Sequence, residues 1–137
     1  MVANVITVLN KLAKKDSATG LDVWYVTKLY NIPFSTERVA SVVGTTVSVG
    51  QTTNILLPFS DKFKHYREWV ALEDRENYYT MSQGDLIFID IDLNEIITPN
   101  NVIQIKNNYK PEVCSVASIF EVQQNSNVKY QLKVVGV

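Results

Sequence analysis

Apolar and polar residues alternate strictly through Val128-Lys129-Tyr130-Gln131-Leu132-Lys133-Val134, as in a strand with one buried and one wetted face. The same periodicity predicts strands over residues 2–12 and 21–31, joined by a polar turn at Lys14–Gly20. In the second strand Val23, Tyr25 and Leu29 share one face, and Trp24, Val26 and Tyr30 share the other. Both faces are apolar, so this strand is either buried on both sides or offers one side to a partner. Pro33 breaks the pattern. Val39, Val43, Val47 and Val49 then dominate a β-branched stretch. Its uncharged segment 44–53 reads either as a hairpin turning near Ser48–Gly50 or as an extended loop that orders against a neighbour.

Ile55–Phe59 closes that strand, and Ser60 is placed to cap a short helical turn through Phe63, Tyr66 and Trp69. Residues 72–83 form an irregular connection. Gly84 opens the strongest strand, Asp85–Leu93, with Ile87, Ile89, Ile91 and Leu93 on one face and Leu86, Phe88, Asp90 and Asp92 on the other. Thr98-Pro99 is a helix start and Asn107-Asn108 its end. A last hairpin pairs 112–122 with 128–135 across Gln124–Asn127. The expected fold is mainly β, a small β-barrel with one short α-helix, in a single domain over residues 1–137.

Length agrees with one domain, since 137 residues can bury one real core. Thirteen Lys and Arg against 14 Asp and Glu leave a net charge of −1, so no global field draws the chain to DNA or anionic lipid. One cysteine forms no internal disulfide. The first residues lack the pattern of a signal peptide, and no run nears the ~18 apolar residues of a membrane helix. Synthesis in the cytoplasm, without a membrane partner, is the expectation.

Candidate chemistry is sparse. Asp90-Ile91-Asp92-Leu93-Asn94-Glu95 resembles the start of an EF-hand loop, but Glu95 stands where Gly is needed and Asn101 where a bidentate Glu is required. An acidic strand face that discourages edge pairing explains Asp90 and Asp92 better. His65, the single histidine, has no designated base or nucleophile beside it. Lys62, Lys64, His65 and Arg67 interleave with Phe63, Tyr66 and Trp69, a mixture that can hold single-stranded nucleic acid. Glu68, Glu73, Asp74 and Glu76 cancel its field, and a protein–protein contact suits Tyr, Trp and Arg better. Cys114 reads as a small buried hydrophobe. The expectation is a protein without enzymatic activity, cofactor or metal requirement.

The order Gly84-Asp85-Leu86-Ile87-Phe88, then Asp92–Ile97 before the short helix, Tyr109, Val113–Val122 and Tyr130–Gly136 resembles head–tail connector proteins of tailed bacteriophages. These are small head-completion or stopper proteins, and prophage virion proteins share the pattern. The N-terminal hairpin over 4–30 fits as well, and the resemblance covers about two-thirds of the chain. It implies a homo-oligomeric ring, six- or twelvefold, around the DNA channel at the neck of a virion. Its partners would be portal or adaptor proteins and tail proteins, with packaged DNA nearby. Interface candidates are Trp24, Tyr30, Val47, Phe63, Tyr66, Arg67 and Trp69. A tail completion or terminator protein is the structural alternative, and a small-ligand or carbohydrate-binding β-barrel the alternative of another class.

Overall fold

The N-terminal strand β1 (Val2–Lys15) pairs antiparallel with β2 (Asp22–Val43), and β2 with β3 (Thr46–Pro58). A long connection holds the single-turn helix α1 (Tyr66–Ala71) and a 3-10 turn at Arg75–Asn77, and leads to β4 (Leu86–Ile89). Helix α2 (Val102–Asn108), β5 (Val113–Glu121) and β6 (Tyr130–Gly136) complete the chain. This computed structural model describes residues 1–15, 22–44, 46–58, 60–110, 112–121 and 130–137. The strands close into a six-stranded antiparallel barrel in the order β1-β2-β3-β6-β5-β4.

Each strand sends at least two apolar side chains inward, among them Ile6 and Val8, Leu29 and Ile32, Ile55 and Leu57, Ile87 and Ile89, Cys114 and Val116, and Leu132 and Val134. The lumen is therefore filled. Five pairs follow the two-residue period of a strand. The exception, Leu29 and Ile32, brackets Asn31, whose φ of +56° shifts the phase of β2 by one residue; Asn tolerates this left-handed conformation better than most residues. A second cluster lies outside the barrel wall. There Leu9, Leu86, Phe88 and Val113 are covered by Val102 and Ile105 of α2 and by Leu93. Strand β4 is thus buried on both faces, as its unbroken apolar run requires.

The mainly β barrel with a short helix, expected from the alternation, is the observed fold, and the helical turn expected after Ser60 is α1. Several boundaries differ. Pro33 does not end a strand, because β2 runs through it to Val43. It pairs with Val2 where β1 runs out, a position in which its missing N–H costs nothing. The β2–β3 hairpin turns between Val43 and Thr46, not near Ser48–Gly50. Gly44 there has φ +62°, the conformation such tight turns demand. Strand β4 stops at Ile89, because Asp90 at φ +56° turns the chain away. Leu93 consequently packs with Leu86 and Phe88, the face opposite to the one assigned by alternation. Both helices start later than their sequence signals, α1 after His65 and α2 after Asn101. Ser60 Oγ instead accepts from Lys62 N–H, and Asn101 Oδ1 accepts from Thr98 N–H. The turns at Lys14–Gly20 and Gln124–Asn127 lie largely or wholly outside the described residues.

Strands β5 and β6 meet closely at their ends. A Cβ added to Gly136 would sit 2.4 Å from Cys114 Sγ and 2.9 Å from its Cβ. Gly136→Ala should therefore cost about 1–3 kcal/mol of stability. Adding Cys114→Ala removes the nearer obstacle and should return part of that loss, read as a coupling energy in urea unfolding. A Gly136→Ala cost unaffected by Cys114→Ala would refute this account.

Candidate functional site

The β2–β3 hairpin outruns the barrel. Strand β2 leaves β1 at Pro33, and β3 joins β6 only from Thr53 onward. Between them run seven residue pairs, from Glu37↔Thr52 to Val43↔Thr46. At about 3.3 Å per residue this two-stranded arm projects roughly 23 Å. Among the described residues no strand lies beside either of its edges. Its sequence, Glu37–Thr52, carries charge only at Glu37 and Arg38 and includes five valines. Neither Pro nor Lys guards the edges, the usual protection against edge pairing. Val47 lies in the arm, opposite Val42.

The other end of the barrel is closed by residues 60–85. Phe63 and Tyr79 form a parallel bridge and both enter the core. Trp69 is fully buried. Its ring meets Tyr25 edge-on at 5.3 Å, and its indole N–H donates to the Arg75 carbonyl at 3.2 Å. Arg75 in turn lies over Tyr25 and donates to its hydroxyl and to the Val70 carbonyl. Phe63 and Trp69 therefore serve the subunit's own interior. Tyr66 is half-buried, its ring 6.1 Å from that of Trp69. Arg67 is exposed. Trp24 packs half-buried against the outer cluster, and Tyr30 is 63% exposed on the outside of β2.

This inward turn also reshapes the basic patch. Lys62 and Lys64 place their ammonium groups over the Tyr78 ring at 5.5 and 5.3 Å, and His65 Nε2 lies 3.2 Å from Glu121. With Phe63 and Trp69 buried, two of the patch's three Phe, Tyr and Trp rings present no face on which bases could stack.

The Gly84-Asp85 pair has a structural task. Gly84 has φ +94°, and a Cβ there would lie 3.1 Å from Lys11 Nζ. Asp85 is fully buried. Its carboxylate accepts from Lys11 N–H, Asn10 Nδ2, Ser82 N–H and the Ser82 hydroxyl. Asn10 also donates to the Thr80 carbonyl and accepts from Thr80 N–H. The network pins the closing segment to β1. Burial pushes the Asp85 carboxyl up from the ordinary aspartate value, and the hydrogen bonds from Lys11, Asn10 and Ser82 oppose that shift.

The acidic run divides among separate partners. Asp90 Oδ1 accepts from Asn4 N–H, Asp92 pairs with Lys28 Nζ at 2.6 Å, and Glu95 accepts from the Tyr109 hydroxyl at 3.0 Å. Among the described residues no three His, Cys, Asp or Glu side chains gather around one point. Cys114 is buried, and burial pushes its thiol up to about 12, with Lys106 a lesser opposing influence. So protonated a thiol is a poor nucleophile.

The sequence signals gave the arm's β-branched stretch from Val39 and a hairpin within it, but placed the turn near Ser48–Gly50 where the strands turn between Val43 and Thr46. They missed Asn10 and Lys11, polar positions within an apolar strand. Asn10 was detectable in principle, since a polar residue on an inward-facing position needs a buried partner. The family model described as "Family of unknown function (DUF6751)" matches residues 1–134. No curated protein and no solved structure matches the chain. No helix among the described residues is long and apolar enough to cross a membrane.

Proposed function

The chain belongs to the DUF6751 family, and we propose that its function is structural: a ring-forming connector of a tailed phage or prophage virion, joining the head portal complex to the tail. The observation that carries this reading is the arm. A closed barrel has no β edge of its own to offer. This one adds a ribbon over Glu37–Val43 and Thr46–Thr52 whose two edges, among the described residues, face no further strand. A two-stranded ribbon is marginal alone, and a neighbouring strand would satisfy its unpaired amides and carbonyls. Repetition of such a contact from subunit to subunit closes a ring. The filled lumen supports a DNA channel formed between subunits rather than through one barrel. It also counts against the calyx that the ligand-binding alternative would use.

The test is genetic. Phage lacking the protein should produce DNA-filled heads and separate tails that do not join. An allele whose arm is cut back to a short turn at Glu37 and Thr52 should behave alike although its barrel folds. Joined, infectious particles formed without the protein would overturn the connector reading, and joined particles of altered tail length would favour the tail-terminator alternative. In vitro, amides of 37–43 and 46–52 should exchange rapidly in the free subunit and become protected on assembly. Strong protection in the free subunit would count against the arm as an assembly element.

A further inference from the structure

Beside α2 lies a cleft of about 200 Å3 with Lys11, Trp24, Leu86, Ile103, Lys106 and Ser115 in its lining. Two ammonium groups share it. Lys11 Nζ occupies the space that Gly84 leaves open, and Lys106 Nζ donates to Ser115 Oγ at 3.1 Å. No carboxylate among the described residues lines the cleft. Among the described residues neither lysine has an ion-pair partner. Asp85 is not among the lining residues, and its oxygens are taken by Lys11 N–H, Asn10 and Ser82. Half-buried cations without a counter-charge are a vacancy for an anion. The floor and walls are apolar, through Leu86 and the Trp24 ring, and Ile103 on the rim is 71% exposed.

The same chain carries a complementary knob. Ile96 is 83% exposed, the most exposed large apolar side chain among the described residues. Glu95 precedes it, also exposed. The Tyr109 hydroxyl donates to one oxygen of Glu95, holding the carboxylate beside Ile96 and leaving the other oxygen free. Tyr109 is itself fixed against Phe88, with ring centroids 5.7 Å apart. An acid and an aliphatic group are thus held ready before any partner arrives, which lowers the cost of binding.

We propose that the cleft of Lys11 and Lys106 receives Glu95 and Ile96 of a second copy of this chain, the carboxylate between the ammonium groups and the isoleucine against Trp24 and Ile103. Knob and cleft are different patches, so the contact repeats head to tail and closes a ring when the rotation permits. The inference rests on the ring reading above and adds its register. The arm supplies backbone pairing, while the knob and cleft fix which neighbour and which orientation are accepted.

Sedimentation of the full chain over a wide concentration range tests the contact. Lys106→Glu and Glu95→Lys should each weaken self-association by at least about tenfold. The double variant, with the charges exchanged, should recover most of that loss. Ile96→Ser, at a site without internal packing, should weaken association without altering the far-ultraviolet circular dichroism. Single variants that associate like the parent, or a parent that stays monomeric at the highest concentration, would overturn this contact. So would association that stops at a closed dimer. None of these results would change whether phage lacking the protein join heads to tails, so failure of the contact and failure of the connector reading are separable.

Discussion

Trp69→Ala is expected to lower the unfolding free energy by about 3–5 kcal/mol, the cost of deleting a large, fully buried aromatic side chain. Trp69 fills the end of the barrel opposite the arm. It meets Tyr25 edge-on and satisfies the Arg75 carbonyl. Alanine would leave a cavity between α1 and β2 and an unpaired carbonyl at the 3-10 turn. Trp69→Phe should cost less, because a ring remains against Tyr25 and the main loss is the indole N–H bond, worth about 1 kcal/mol. Urea unfolding followed by circular dichroism measures both, with Trp24 as the remaining fluorescent reporter. A Trp69→Ala cost below about 1 kcal/mol would mean that the 60–85 segment is not integral to the core. Trp69 would then be free to serve an interface, as its sequence context suggests.

Asp85→Asn should be nearly as damaging, about 3 kcal/mol, although it keeps the shape of the side chain and removes a buried charge. One carboxylate oxygen accepts from Lys11 N–H, and the other accepts from Asn10 Nδ2 and from Ser82. An amide in either orientation sets its own N–H groups against one of these donors. The substitution also changes the pH dependence. The folded-state pKa of Asp85 lies above its ordinary value, chiefly through burial, so the native state holds this proton more tightly than the unfolded chain. The resulting stabilisation is complete below the unfolded value, about 4, and is lost as pH rises through the native one. Parent-minus-variant stability should therefore fall with rising pH across that window. A flat difference would show that the hydrogen bonds cancel the burial.

These two side chains mark where sequence reasoning reached and where it stopped. The alternation of apolar residues identified strands, and from them a mainly β barrel, because a strand's two faces are written in neighbouring residues. The same local information could not distinguish Trp69 as a barrel plug from Trp69 as a contact for another protein. Its aromatic-basic context is identical in both, and only the return of residues 60–85 across the barrel end buries it. Asp85 was visible as part of a Gly-Asp signature. Its four donors come from β1 and the preceding turn, elements distant or non-repeating in sequence. The arm shows the same division. Its small, uncharged composition was legible at 44–53. Its length and turn were not, since Pro33 is harmless only because β1 happens to end beside it.

By itself, then, the sequence determined which residues alternate, that the chain closes one β-rich core, and that its reactive groups are few and scattered, all properties of short-range pattern and composition. The tertiary structure alone decided where pairing begins and ends, that Asn31 and Asp90 shift or stop a strand, that Phe63 and Trp69 belong to the interior, and that Lys11 and Lys106 face one cleft. Each of these depends on which distant strand supplies a hydrogen bond or covers a face, and a one-dimensional pattern carries no record of that.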